Sequence, residues 1–237
     1  MNGTIARLTL SNLMRGWRGP LLALLPLSFL FLAAVSRYMI GVNDQAINGL
    51  LDGLNLVTIV PLMALIIGTG ALATEIDDGS IIYMLTKPIN RHTIIATKLG
   101  VAVAVGVGLT GIPTLVAGVL LTGTLGDAAM AYTMAAVVST ILYSALFIML
   151  SAVSRHAVVI GLVYVLLWEG LFIGLVGGAR VLSIQHWAAS MTSQVFGDVM
   201  EADVNGILAT VLAVTAFVAM TWFAGSRLRS LSLAKEA

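Results

Sequence analysis

Apolar residues along this chain gather into six long runs separated by short polar breaks. The runs cover residues 20–40, 54–74, 99–121, 128–153, 157–178 and 204–225. Each is near the roughly 20 residues that a helix needs to cross about 30 Å of hydrocarbon. Strand spans would show alternating segments of about ten residues, whereas these runs are continuous. The pattern predicts an all-α membrane protein: six transmembrane helices forming a single transmembrane domain over 1–237. Around the spans it leaves an N-terminal interfacial helix at 1–19, a loop at 75–98 and an outer re-entrant or amphipathic loop at 179–203. None of the three is long enough to build a core alone.

Composition agrees. The 237 residues are 59% hydrophobic and 10% charged, against about 25% charged in an ordinary soluble domain. The mean hydropathy is +1.03, too high to hide in one soluble core. A soluble enzyme, a nucleic-acid-binding domain and a disordered chain are excluded. A formal net charge of +1 gives no reason to expect nucleic acid as a partner. Cysteine is absent, which removes disulfides, thiolate metal sites and a cysteine nucleophile. No G-x-x-x-x-G-K-[ST] phosphate loop and no H-E-x-x-H motif occur. The chain is therefore expected to carry no catalytic residue and no metal site, and any ATP hydrolysis falls to another chain.

Charge sets the orientation. An even number of spans puts both termini on one side. That side holds Arg7, Arg15, Arg18, Lys87, Arg91, Lys98, Arg155, Arg227, Arg229 and Lys235, and the other holds Arg37 and Arg180. By the positive-inside rule both termini are cytoplasmic. Removing the first run as a signal peptide, with cleavage near Ala34, would leave five spans and misplace the C-terminal charges.

Two cytoplasmic segments carry amphipathic patterns. Leu10, Leu13, Met14 and Trp17 share a helical stripe, with Arg7, Arg15 and Arg18 around it. This suits an interfacial helix that holds anionic lipid, or a plain topology anchor. In the loop, Glu75, Asp77 and Asp78 lead through Gly79 into a short helix at 80–86. Its apolar face is Ile81, Ile82 and Leu85. Asp78 or Ser80 caps its start, and Pro88 ends it by driving Lys87 out of the α region. Asn90 is placed to cap the third span. A short helix with an apolar face in the cytoplasm docks on a partner, lies on lipid, or merely connects.

Inside the runs, Glu169 is the one ionisable residue far from either edge. Burying it costs several kcal/mol unless it is paired or protonated. It is either a pathway or proton-linked group, or a structural hydrogen bond to Ser144, Thr140 or a neighbouring backbone. Gly170, Gly174 and Gly178 form a G-x-x-x-G-x-x-x-G row that admits a close helix, within the chain or across a dimer. Gly100, Ala104, Gly108 and Gly111 make a second small-residue face. Pro26, Pro61 and Pro113 predict kinks. On the outer side, Ile184, Trp187, Ala188 and Met191 predict amphipathic half-helices at the interface. Asp198, Glu201, Asp203 and His186 match no metal-ligand spacing.

The loop residues Glu75, Gly79, Ser80, Leu85, Lys87, Pro88, Arg91 and Lys98 resemble the pattern of ABC-2-type transporter permease subunits, in their small bacterial six-span class. Ser80 stands where threonine is commoner. Trp168-Glu169, Arg180, Leu182-Ser183-Ile184 and Trp187 extend the resemblance. It implies two permease chains, identical or related, enclosing the pathway of an exporter in the bacterial cytoplasmic membrane. Two separate ATPase subunits would bind ATP and Mg²⁺ beneath them. The coupling interface would comprise Glu75, Asp78, Gly79, Ser80, Ile81, Ile82, Tyr83, Leu85, Lys87, Pro88 and Arg91, with the interfacial helix touching the ATPase too. Rival readings are a stand-alone proton-coupled carrier that uses Glu169, and a non-transporting membrane scaffold. No substrate is legible.

Overall fold

The computed structural model describes residues 3–14, 18–77, 90–197, 199–200 and 202–233. Among them are six helices long and apolar enough to cross a membrane. A short helix α1 (Gly3–Met14) precedes the first span, α2 (Arg18–Ile40). The second span is composite: α3 (Asp44–Ile47), a π-helical stretch Asn48–Ile59, then α4 (Val60–Asp77). The third and fourth are α5 (Arg91–Thr122) and α6 (Asp127–Val153). The fifth is again composite: α7 (Ala157–Val163), a π-helical stretch Tyr164–Phe172 and α8 (Ile173–Leu175). A 3₁₀ turn Gly177–Leu182 and α9 (Ile184–Phe196) lead to the sixth span, α10 (Gly206–Leu233).

Two spans start earlier than the apolar runs. The second begins at Asp44 rather than Leu54, because Asn48, Asp52 and Asn55 interrupt the apolar pattern without interrupting the helix. The third begins at Arg91 rather than Leu99. Asn90 caps it, its Oδ1 accepting from His92 N at 3.1 Å, and the first two turns lie within the predicted loop.

The π stretch of the second span has a local cause. Pro61 has no N–H, and its ring would clash with the carbonyl four residues back. Widening the preceding turns relieves this, and Val60 N donates to Asn55 O, five residues back.

The fourth span, α6, is the hub, packing against α4, α5, α9 and α10. Small residues bring the helices close. A methyl group on Gly68 would sit 2.9 Å from Phe147 Cβ, and one on Gly106 would sit 2.7 Å from Thr140 Cγ2. On α5 the close face is Gly106, Gly111 and Gly118; of the predicted row it keeps Gly111, whereas Gly108 meets nothing within 4 Å among the described residues and Ala104 is exposed. Hydroxyls add cross-links. Asn55 Nδ2 donates to Thr114 Oγ1 at 2.8 Å, and the Thr110 and Thr140 hydroxyls lie 2.8 Å apart.

The first helix packs on α4 and α5 through Ile5, Thr9 and Leu13. Leu13 is buried, while Leu10 is 46% exposed. The buried stripe is turned about one position from the purely apolar one. Thr9 enters it because its hydroxyl is satisfied by Ile5 O at 2.9 Å. Arg7 faces outward.

Arg37 and Arg180 lie at one end of the bundle. Arg37 sits beside Gly123, and Thr122 and Val199 line one cavity there. Val199 also lines a second cavity with Asp203, the partner of Arg180.

Candidate functional site

Glu169 is 4% exposed and fully engaged. Its Oε1 accepts from Tyr164 OH at 2.9 Å and from Ile184 N at 3.0 Å, and its Oε2 accepts from Ser183 Oγ at 2.5 Å. Tyr164 stands five residues before Glu169. The π turn, in which Ile173 N donates to Trp168 O five residues back, places them together. The other two donors are the start of α9, where backbone N–H groups and the helix dipole favour a carboxylate. Ser144 and Thr140, the partners expected from the sequence, do not bond to it. Instead α9 enters the bundle and presents its own first turn. Ile184, Trp187 and Ala188 are buried as the apolar spacing implied, and so are Gln185, Ser190 and Thr192. The helix packs against α6 and α10.

From Ser183 the network continues to the end of the bundle. Ser183 Oγ also accepts from His186 N at 3.3 Å and lies 3.0 Å from His186 Nδ1. His186 Nε2 is 3.3 Å from Asp203 Oδ2, and Arg180 NH1 donates to Asp203 Oδ1 at 2.6 Å. Trp187 Nε1 donates to Val181 O at 2.6 Å and fixes the 3₁₀ turn against α9. Burial holds the His186 imidazole below its ordinary pKa, against the pull of Asp203. Serine, histidine and aspartate stand here in the order of a hydrolytic triad. Ser183 is nonetheless a cap: it is fully buried, and its hydrogen goes to Glu169.

Beside this network lies a cavity of about 240 Å³ lined by Asn48, Asp52, Tyr132, Gln185, His186, Ala189, Val199, Met200 and Asp203. Tyr132 OH donates to Asn48 Oδ1 at 3.1 Å, and Gln185 Nε2 donates to Asp52 Oδ1 at 3.5 Å. Sequence reading missed Asn48, Asp52, Tyr132 and Gln185. The spacing of Asn48, Asp52 and Asn55 at i, i+4 and i+7 was the available signal: a polar stripe on an otherwise apolar helix.

At the opposite end, Lys98 is fully buried and its Nζ donates to Ala71 O at 2.6 Å. This joins the last turns of α4 to the start of α5. Arg91 opens α5. The coupling residues Asp78, Gly79, Ser80, Ile81, Ile82, Tyr83, Leu85, Lys87 and Pro88 lie outside the described residues. So do Arg15, Trp17, Asp198 and Glu201, and the side chains of Met14, Arg18 and Glu75. Gly170, Gly174 and Gly178 are exposed, and among the described residues nothing lies within 4 Å of a side chain added at Gly174 or Gly178. Among the described residues no group of three His, Cys, Asp or Glu converges to hold a metal ion.

Compared with known families, residues 5–224 match the one described as ABC-2 family transporter protein. No curated protein matches the chain.

Proposed function

Because the chain belongs to the ABC-2 transporter family, we propose that it is the permease subunit of an ATP-binding-cassette exporter in the bacterial cytoplasmic membrane. The family match over nearly the whole length carries this reading. Two such chains, identical or related, enclose the pathway, and two separate ATPase subunits bind ATP and Mg²⁺. Segment 80–86 is the coupling helix, seated in the ATPase through Ile81, Ile82 and Leu85. The chain contributes no catalytic group of its own. The Lys98–Ala71 bond supports the reading mechanically: it ties together the two helices that flank the segment. Closure of the ATPase pair would then move α4 and α5 as one body.

The three donors on Glu169 support a structural role for this carboxylate over a carrier role, since a titrating group that loads and unloads would lose fixed partners each cycle. The decisive experiment is purification of the chain with a cassette ATPase co-expressed from the same source. Co-elution and ATPase stimulation are expected. Leu85→Asp or Tyr83→Asp should keep the complex folded and abolish the stimulation. Absence of any co-eluting ATPase, or normal stimulation in both variants, would overturn the reading.

A further inference from the structure

We propose that the fifth span is a two-state element, in which Glu169 is handed from Tyr164 to Tyr143 as the π stretch Tyr164–Phe172 relaxes to α-helix. It stands whether or not an ATPase partner is found.

The buried positions of this span are Ala157, Gly161, Val165, Glu169 and Ile173, spaced by four. On an α-helix, at about 100° per residue, each such step drifts by about 40°. Four steps would carry Ile173 about 160° round from Ala157. The π turn offsets this drift and keeps Glu169 inside. It also makes the bond to Tyr164. Five residues apart, the two side chains would stand about 140° apart on an α-helix and could not meet. Here they bond at 2.9 Å. No proline imposes the widening. On a span that is mostly exposed, such a turn has few packed neighbours to stop it relaxing.

The second partner is already in place. Tyr143, on α6, is fully buried, and its hydroxyl has no hydrogen-bond partner among the described residues. It lies beside the Glu169 carboxylate. Its ring stacks on Phe147 with centroids 6.0 Å apart, and a methyl group on Gly161 would sit 3.0 Å from Phe147 Cε1. This face of α6 therefore borders the inward side of the fifth span. A buried hydroxyl is costly to leave unmet. When relaxation turns Tyr164 away, Tyr143 supplies the missing bond. Ser183 and Ile184 hold the carboxylate throughout, so the buried charge is never stranded.

A double-mutant cycle in the full chain, read by unfolding in detergent, tests the hand-over. Tyr143→Phe removes an unbonded hydroxyl and should change the unfolding constant by less than about threefold. Tyr164→Phe should change it by less than about tenfold, because Tyr143 takes over. The double variant should exceed the product of the two by at least about tenfold. Spin labels give a second measurement on the single variants. The chain has no cysteine, so Arg155→Cys and Leu175→Cys label exposed positions at the two ends of the span. A π turn rises less per residue than an α turn. Tyr164→Phe should therefore lengthen the distance between the labels, measured by electron–electron double resonance, and Tyr143→Phe should leave it unchanged. A double variant that equals the product of the singles, or an unchanged distance in Tyr164→Phe, would overturn the proposal.

Discussion

The two π-helical stretches solve one geometric problem for opposite reasons. Asn48–Ile59 runs into Pro61, so its widening follows from the chain itself. Tyr164–Phe172 has no proline after it. Its widening coincides with a tertiary demand, the alignment of Tyr164 and Glu169 toward Ser183 and Ile184. The surroundings differ too. The second span, which holds the first stretch, is mostly buried, whereas the fifth is mostly exposed. Each nonetheless turns polar groups inward, Asn55 in one and Glu169 in the other. A widened turn next to proline therefore says little about function, while one without proline points to the group it positions.

Removing the acid should have the larger effect. Glu169→Ala leaves three donors unmet, two of them buried, and we expect a loss of about 3–5 kcal/mol of stability, read by unfolding in detergent. A loss below about 1 kcal/mol would mean that α9 does not depend on this carboxylate. Next comes Gly68→Ala, which pushes a methyl against Phe147 Cβ beside the proline-driven stretch. It should cost about 1–3 kcal/mol, and an unchanged melting midpoint would contradict the close approach of α4 and α6.

The link behind Glu169 should respond to acid. Burial lowers the His186 pKa, so the unfolded chain takes up that proton at a higher pH than the folded one. Stability should fall as the pH drops below about 6.5, at no more than about 1.4 kcal/mol per pH unit. His186→Gln should remove that slope from melts recorded between pH 7.5 and pH 5. The smallest effect is expected for Asn55→Leu. Loss of its bond to Thr114 should cost about 0.6–1.7 kcal/mol, and the π stretch should survive because Pro61 remains. If instead the helical content of the second span changes, measured by hydrogen exchange, Asn55 rather than Pro61 sets the widening.

The six spans were legible because continuous apolar runs have few other uses. Glu169 stood out for the same reason, as a charge where none belongs. Its partners were not legible: Ser183 and Ile184 lie in a segment whose apolar spacing reads equally well as an interfacial helix. Only the fold shows α9 entering the bundle. The protein-facing stripe of α1 was not legible because polarity was judged by residue type. Thr9 is buried through its bond to Ile5 O, and Thr69, Thr110 and Thr140 are buried the same way, each bonding the carbonyl four residues back. Threonine in a membrane bundle therefore belongs with the small apolar residues when faces are assigned. Asp52 and Gln185 were missed because a cavity has no periodicity of its own.

The buried Lys98 acts as a chord drawn across the base of the hairpin made by α4 and α5. With the chord in place, the stems cannot splay, so chain length inserted at the tip changes its reach without changing the distance between its feet.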